Sequence, residues 1–158
     1  MKKIKSTIIL FTVLLVSCSV KTNHESLAID QRQPPDAALK FINEYTKACS
    51  GTDFNSAKWI ESNELITDNF KVRYKQIVEE ARKADPEVGL AFDPIFNAQD
   101  YPEKGFMLSG TDDNGYVTVK GKDWQEFTVV IKLAFIDNLW KVDGAGIINI
   151  PKNKQVNQ

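Results

Sequence analysis

Between Gln125 and Ile136 the side chains of Phe127, Val129, Ile131, Leu133 and Phe135 fall on every second residue. That period places all five on one face of a β-strand. A two-residue turn at Asp137-Asn138 would fold the next segment back, pairing Ile136 with Leu139, Phe135 with Trp140, Leu133 with Val142 and Lys132 with Asp143. In this register apolar residues meet on one face and an opposite-charge pair sits on the other. The inner face so defined carries no acid, base or nucleophile, so a catalytic cavity facing it would have to take its polar groups from elsewhere. A second hairpin precedes it. Phe106 to Thr111 and Tyr116 to Lys120 flank Asp112-Asp113-Asn114-Gly115, and Asn-Gly is a strong hairpin signal. The acidic turn lacks the ligand spacing of an EF-hand, and no helix follows it, so no metal is expected there.

The chain upstream has a helical period. Pro34-Pro35-Asp36 suits a helix start, and Ala38, Phe41, Ile42, Tyr45 and Cys49 form one apolar stripe. Gly51 supplies a stop. Cys49 lies on the stripe and reads as a small buried hydrophobe; a reactive or pairing thiol is the alternative. A short helical turn is expected over Asp53 to Ile60. A longer helix, from Ser62 or Thr67 to Lys83, buries Ile66, Phe70, Tyr74, Ile77 and Ala81, turns Glu79, Glu80, Arg82 and Lys83 to solvent, and ends at Asp85-Pro86. Gly89 to Pro102 is irregular yet carries Leu90, Phe92, Ile95, Phe96 and Tyr101, which marks a loop that is functional or packed down on the domain.

The N-terminus carries an address. Met1-Lys2-Lys3-Ile4-Lys5 is a positive start, and Ile8 to Val16 is an apolar run too short to span a bilayer, which takes roughly 20 residues. Leu15-Val16-Ser17-Cys18 resembles the lipobox of bacterial lipoproteins. The resemblance implies cleavage before Cys18 and a diacylglycerol on its thiol, making residues 1–17 a signal peptide and Cys18 a membrane anchor. Ser19 stands where an aspartate would favour inner-membrane retention, so the resemblance places the protein at the outer membrane, facing the periplasm. In a Gram-positive source the same anchor would mean the outer face of the plasma membrane. Residues 18–33 hold the lipidated cysteine and a polar, aperiodic stretch expected to act as a flexible tether with a limit near about 50 Å. The domain then covers 34–150, and 151–158 is expected to be a disordered tail.

Charge and composition narrow the function. The chain has 158 residues, and without the first 17 it keeps 17 basic and 21 acidic side chains, a net −4. A mildly acidic domain lacks the footprint of a phosphate-backbone binder, so no nucleic-acid partner is expected. With two cysteines and one histidine, disulfide scaffolds and Cys/His zinc sites are excluded. The one histidine, His24, lies in the tether, which removes most hydrolase mechanisms from the folded part. No cofactor is expected.

Helices followed by an antiparallel meander ending in Leu139-Trp140-Lys141-Val142-Asp143-Gly144 resemble the nuclear transport factor two-like (cystatin-like) domains. The implied fold is α+β: N-terminal helices packed on a curved antiparallel sheet of about four strands, closed into a cone. Trp59-Ile60, Thr67-Asp68-Asn69-Phe70, Ala84-Asp85-Pro86-Glu87, Asp93-Pro94-Ile95 and Asn97-Ala98-Gln99-Asp100-Tyr101-Pro102 are similar to a bacterial envelope family of unknown function, many of whose members are lipoproteins. That family supplies no catalytic residues.

The leading expectation is a non-enzymatic binding or accessory lipoprotein of the envelope, held by Cys18. Its protein partner would be an efflux or secretion assembly, or a toxin for which it confers immunity. The expected contact residues are Asp93, Gln99, Asp100 and Tyr101, with turn formation and packing as their plainer role. Homodimerisation through the sheet is expected by analogy with cone-fold domains. The competing enzyme reading, an isomerase or dehydratase, would use Asp93, Asp100, Tyr45 or Tyr101 in a cone cavity. A third reading is a passive structural protein of the envelope.

Overall fold

The computed structural model describes residues 34–156. The signal segment 1–17, Cys18, the tether with His24, and the last two residues lie outside the described residues. The described chain is α+β. Three helices, α1 (Pro34–Cys49), α2 (Ser56–Ser62) and α3 (Asp68–Ala84), precede strands β1 (Phe106–Thr111), β2 (Tyr116–Gly121), β3 (Thr128–Ile136) and β4 (Leu139–Ala145). The sheet is antiparallel in the order β1-β2-β3-β4.

Each helix begins and ends where local chemistry dictates. Asp36 and Lys47 sit at the ends of α1 that favour their charges. The Asn55 side chain caps α2 by accepting from the Lys58 N–H, and Thr67 caps α3 by accepting from the Phe70 N–H at 3.1 Å. Asp85 closes α3 and accepts the N–H groups of Glu87 and Val88. The α1 stripe is buried as its spacing requires: Ala38, Phe41, Ile42 and Tyr45 are inaccessible to solvent, and the helix touches all four strands. Burying a side chain such as Phe41 contributes roughly 1.5–3 kcal/mol.

The β3–β4 hairpin pairs Ile136 with Leu139, Phe135 with Trp140 and Leu133 with Val142. Asp137 and Asn138 both take positive φ, as a type I′ turn demands. Two expectations are corrected. The backbone partner of Lys132 is Gly144, because a bulge between Lys132 and Leu133 leaves Asp143 as an extra residue. The ion pair survives nonetheless, with Lys132 Nζ 2.7 Å from Asp143 Oδ2. Phe127, Val129, Ile131 and Leu133 are buried, whereas Phe135 is 56% exposed: the strand outruns the core it covers. The outer edge of β4 is paired with the segment before α3, since Val142 N–H donates to the Leu65 carbonyl and Thr67 N–H to that of Val142.

Residues 151–156 are also corrected, from disordered tail to docked segment. Lys152–Lys154 form a 3₁₀ turn. Asn97 Nδ2 donates to the Val156 carbonyl at 2.8 Å, and Lys154 Nζ reaches Asp112 Oδ2 at 2.8 Å while lying over the Tyr116 ring. The buried Ile148 and Ile150 hold the chain down just before this segment.

Candidate functional site

The loop after α3 carries the expected contact residues, and the structure separates them. Asp93 turns inward. Its Oδ1 accepts the N–H groups of Ile95 at 2.8 Å and Phe96 at 3.1 Å, an Asx-type turn. Tyr45 Oη, from α1, donates to Oδ2 at 2.5 Å, a charge-assisted bond. The loop is clamped from its other side by the chain after β4, where Ile147 N–H donates to the Pro94 carbonyl. Gly146 stands there at φ +59, and a Cβ would collide with the carbonyl oxygens of Pro94 and Ile95, so both its backbone angle and the close approach require glycine.

Around this carboxylate the interior is aromatic. The Tyr45 ring lies 5.1 Å from Trp59, 5.3 Å from Phe96 and 5.6 Å from Phe54, and Phe96 stacks on Tyr101 at 4.7 Å. Burial pushes the Asp93 carboxyl above the usual carboxylate range, against the hydrogen bonds from Tyr45, Phe96 and Ile95. Burial and then the neighbouring Asp93 charge drive the Tyr45 phenol far up, which keeps it a donor. The same two causes, burial first, push the Cys49 thiol up to about 12. Cys49 is half-buried and stays a thiol at neutral pH, the state in which cysteine is a poor nucleophile.

Asp93 also forms one wall of an open cleft of about 420 Å³ between the loop, α2 and α3. The same cleft is lined by Ser56 and Tyr74, whose hydroxyl oxygens are 2.8 Å apart, by Arg82, and by Leu90 and Phe92 of the loop. Burial raises the Tyr74 phenol, and the Ser56 hydroxyl opposes it. Gln99 and Asp100 are exposed on the outer side of the loop, where Gln99 Nε2 donates to the Ala91 carbonyl. Tyr101 is half-buried against Phe96. Of the residues named for acid–base chemistry, only Asp93 and Tyr45 are brought into contact, and Tyr45 is fully enclosed.

Tyr74 is buried and Arg82 exposed, as their places on the apolar and solvated sides of α3 require, and neither property alone marks a cleft wall. The row Tyr74, Val78, Arg82 repeats every four residues along one side of α3, and that row was the available signal for a cleft wall.

A second polar cluster lies under β4. Asp143, 8% exposed, accepts from Thr67 Oγ1 at 2.9 Å, Asn69 Nδ2 at 3.0 Å and Lys132 Nζ at 2.7 Å, while Asn149 Nδ2 donates to its carbonyl. Burial opposes the charge on Asp143, but Lys132, Asn69 and Thr67 outweigh it and hold the carboxyl below the usual range. Oδ1 of Asp143 holds the start of α3 onto β4, Oδ2 ties β4 to β3, and the carbonyl holds the chain after β4. No family model, curated protein or solved structure matches this chain, so a functional reading stands on its sequence and geometry.

Proposed function

We propose that the chain is a lipid-anchored envelope protein, attached through Cys18 at the outer membrane and facing the periplasm, that serves as a non-enzymatic binding or accessory module. We further assign the helix-and-sheet layout to the cystatin-like cone type. The anchor rests on Leu15-Val16-Ser17-Cys18 after a short apolar run behind three lysines. Two or three acyl chains on one residue would give stable attachment where a single chain is marginal.

The observation that carries the binding reading is the use to which Asp93 is put. Both its oxygens hold the loop in shape, which makes the loop a rigid platform presenting Gln99 and Asp100 outward beside the Arg82 cleft. A prearranged surface loses less conformational freedom on binding a partner. The enzyme reading keeps one favourable observation: Asp93, with its raised proton affinity, faces the cleft alongside Tyr74.

The anchor is tested by intact mass and cell fractionation of the full-length protein. The wild type is expected in the membrane fraction with acyl groups on Cys18, and Cys18→Ala in the soluble fraction with none. An unmodified Cys18, or a Cys18→Ala chain still in the membrane fraction, would contradict it.

A further inference from the structure

The domain has two distinct ends. At one, the start of α1 (Pro34, Pro35) shares a cleft of about 340 Å³ with Trp140, Tyr116 and the Asp112–Gly115 turn, next to the tip of the β3–β4 hairpin. At the other, Tyr45 meets Asp93 and Gly146 meets Pro94. From Pro34 to Tyr45 the helix rises about 16 Å, so the chain enters the domain at the end away from the Asp93 loop.

The entry end carries exposed apolar side chains at the hairpin tip. Phe135 is 56% exposed, Ile136 40% and Leu139 43%, and Trp140 packs against Phe135 with ring centroids 5.1 Å apart. Isolated exposed apolar side chains are ordinary, but a contiguous group at one hairpin marks a surface that something covers. Residues 19–33 would connect Pro34 to the lipid on Cys18 and span at most about 50 Å. The surface such a tether brings within reach is the bilayer itself.

We propose that the β3–β4 hairpin tip seats in the interfacial layer of the anchoring membrane, with Phe135, Ile136, Leu139 and Trp140 against lipid. The Asp93 cleft and the Gln99–Asp100 surface then point away from it. This rests on the Cys18 anchor. Tryptophan suits the position because its ring is apolar and its N–H polar. The molecule carries its own control: Trp124, 44% exposed, lies in the loop between β2 and β3, at the opposite end of a nine-residue strand, about 26 Å away.

The test uses full-length protein, its Cys18 acylation checked by intact mass, in phosphatidylethanolamine vesicles with or without brominated acyl chains. Bromine is expected to quench tryptophan emission in the wild type and in Trp124→Phe, and the quenching is expected to be lost in Trp140→Phe. A Phe135→Ser, Leu139→Ser double variant should also lose quenching while keeping Trp140 and a cooperative melting transition, because neither position is fully buried. Acylated protein that shows no quenching, or quenching that survives Trp140→Phe, overturns the docking and leaves the anchor standing. Concentration-dependent dimerisation abolished by the double variant, without quenching, overturns it in favour of a second copy at the tip. An unmodified Cys18 overturns the anchor and the docking together.

Discussion

Asp143→Ala is expected to lower the unfolding free energy by about 2–4 kcal/mol, because it leaves three donors without their shared acceptor in a largely buried site. Asp143 is 8% exposed and ties Thr67 and Asn69 of the α3 start to Lys132 of β3. Asp143→Asn keeps an oxygen for Thr67 and Asn69 but turns an amide toward the Lys132 ammonium, so it should cost less than alanine and more than a surface change. The pH dependence has a definite sign. The folded carboxyl lies below its ordinary range, so the stabilisation is complete above the unfolded value, about 3.9. It is lost as pH falls through the folded one. Denaturant unfolding at neutral pH and near pH 3 should therefore show the gap between wild type and Asp143→Asn narrowing in acid. A gap of the same size at both pH values would count against the cluster.

Asp93 should behave in the opposite way. Asp93→Ala removes the acceptor for the Ile95 and Phe96 N–H groups and strands a fully buried Tyr45 hydroxyl, an expected loss of about 2–4 kcal/mol. Asp93→Asn can accept the same two N–H groups and donate to the Tyr45 oxygen, and should stay within about 1 kcal/mol of wild type. Because burial raises the folded carboxyl above its unfolded value, the protonated form favours the folded state. That advantage is lost as pH rises through the folded value. Across that window the wild type should lose ground to Asp93→Asn, in contrast to Asp143, which gains as pH rises. A wild type that gains on Asp93→Asn over the same range would show that the carboxylate is better satisfied than its surroundings indicate.

Much of the fold is legible wherever the governing interactions are local. The α1 stripe, the Asp85-Pro86 stop, both hairpin turns and most of the β3–β4 register depend on residues a few positions apart. The departures from local pattern come from non-local contacts. The bulge at Asp143 answers to Thr67 and Asn69, more than seventy residues earlier, and to Gly144, where a Cβ would meet the Ile148 carbonyl at 2.7 Å. Phe135 obeys the alternation that predicts burial, but alternation cannot say where the opposing layer ends. The tail is polar in sequence, yet its backbone is held by Asn97 and its Lys154 by Asp112.

The site was legible in the same uneven way. The aromatics of the Leu90–Pro102 loop mark it as packed down on the domain, but nearness in sequence does not say which way Asp93, Gln99, Asp100 and Tyr101 turn. The fold turns Asp93 to Tyr45 and leaves Gln99 and Asp100 outside, because the Asx turn at Asp93 reverses the chain within three residues. Ser56, Tyr74 and Arg82, which complete the cleft, come from two helices.

The measurement that bears most directly on the proposed binding role is in-cell photocrosslinking of the full-length, anchored protein. A photoreactive residue would replace Asp100, Arg82 or, as a solvated control on α3, Glu79. A discrete adduct is expected from positions 100 and 82, weakened by Cys18→Ala, and none from position 79. No adduct from either site position, or the same adducts from all three, would contradict it.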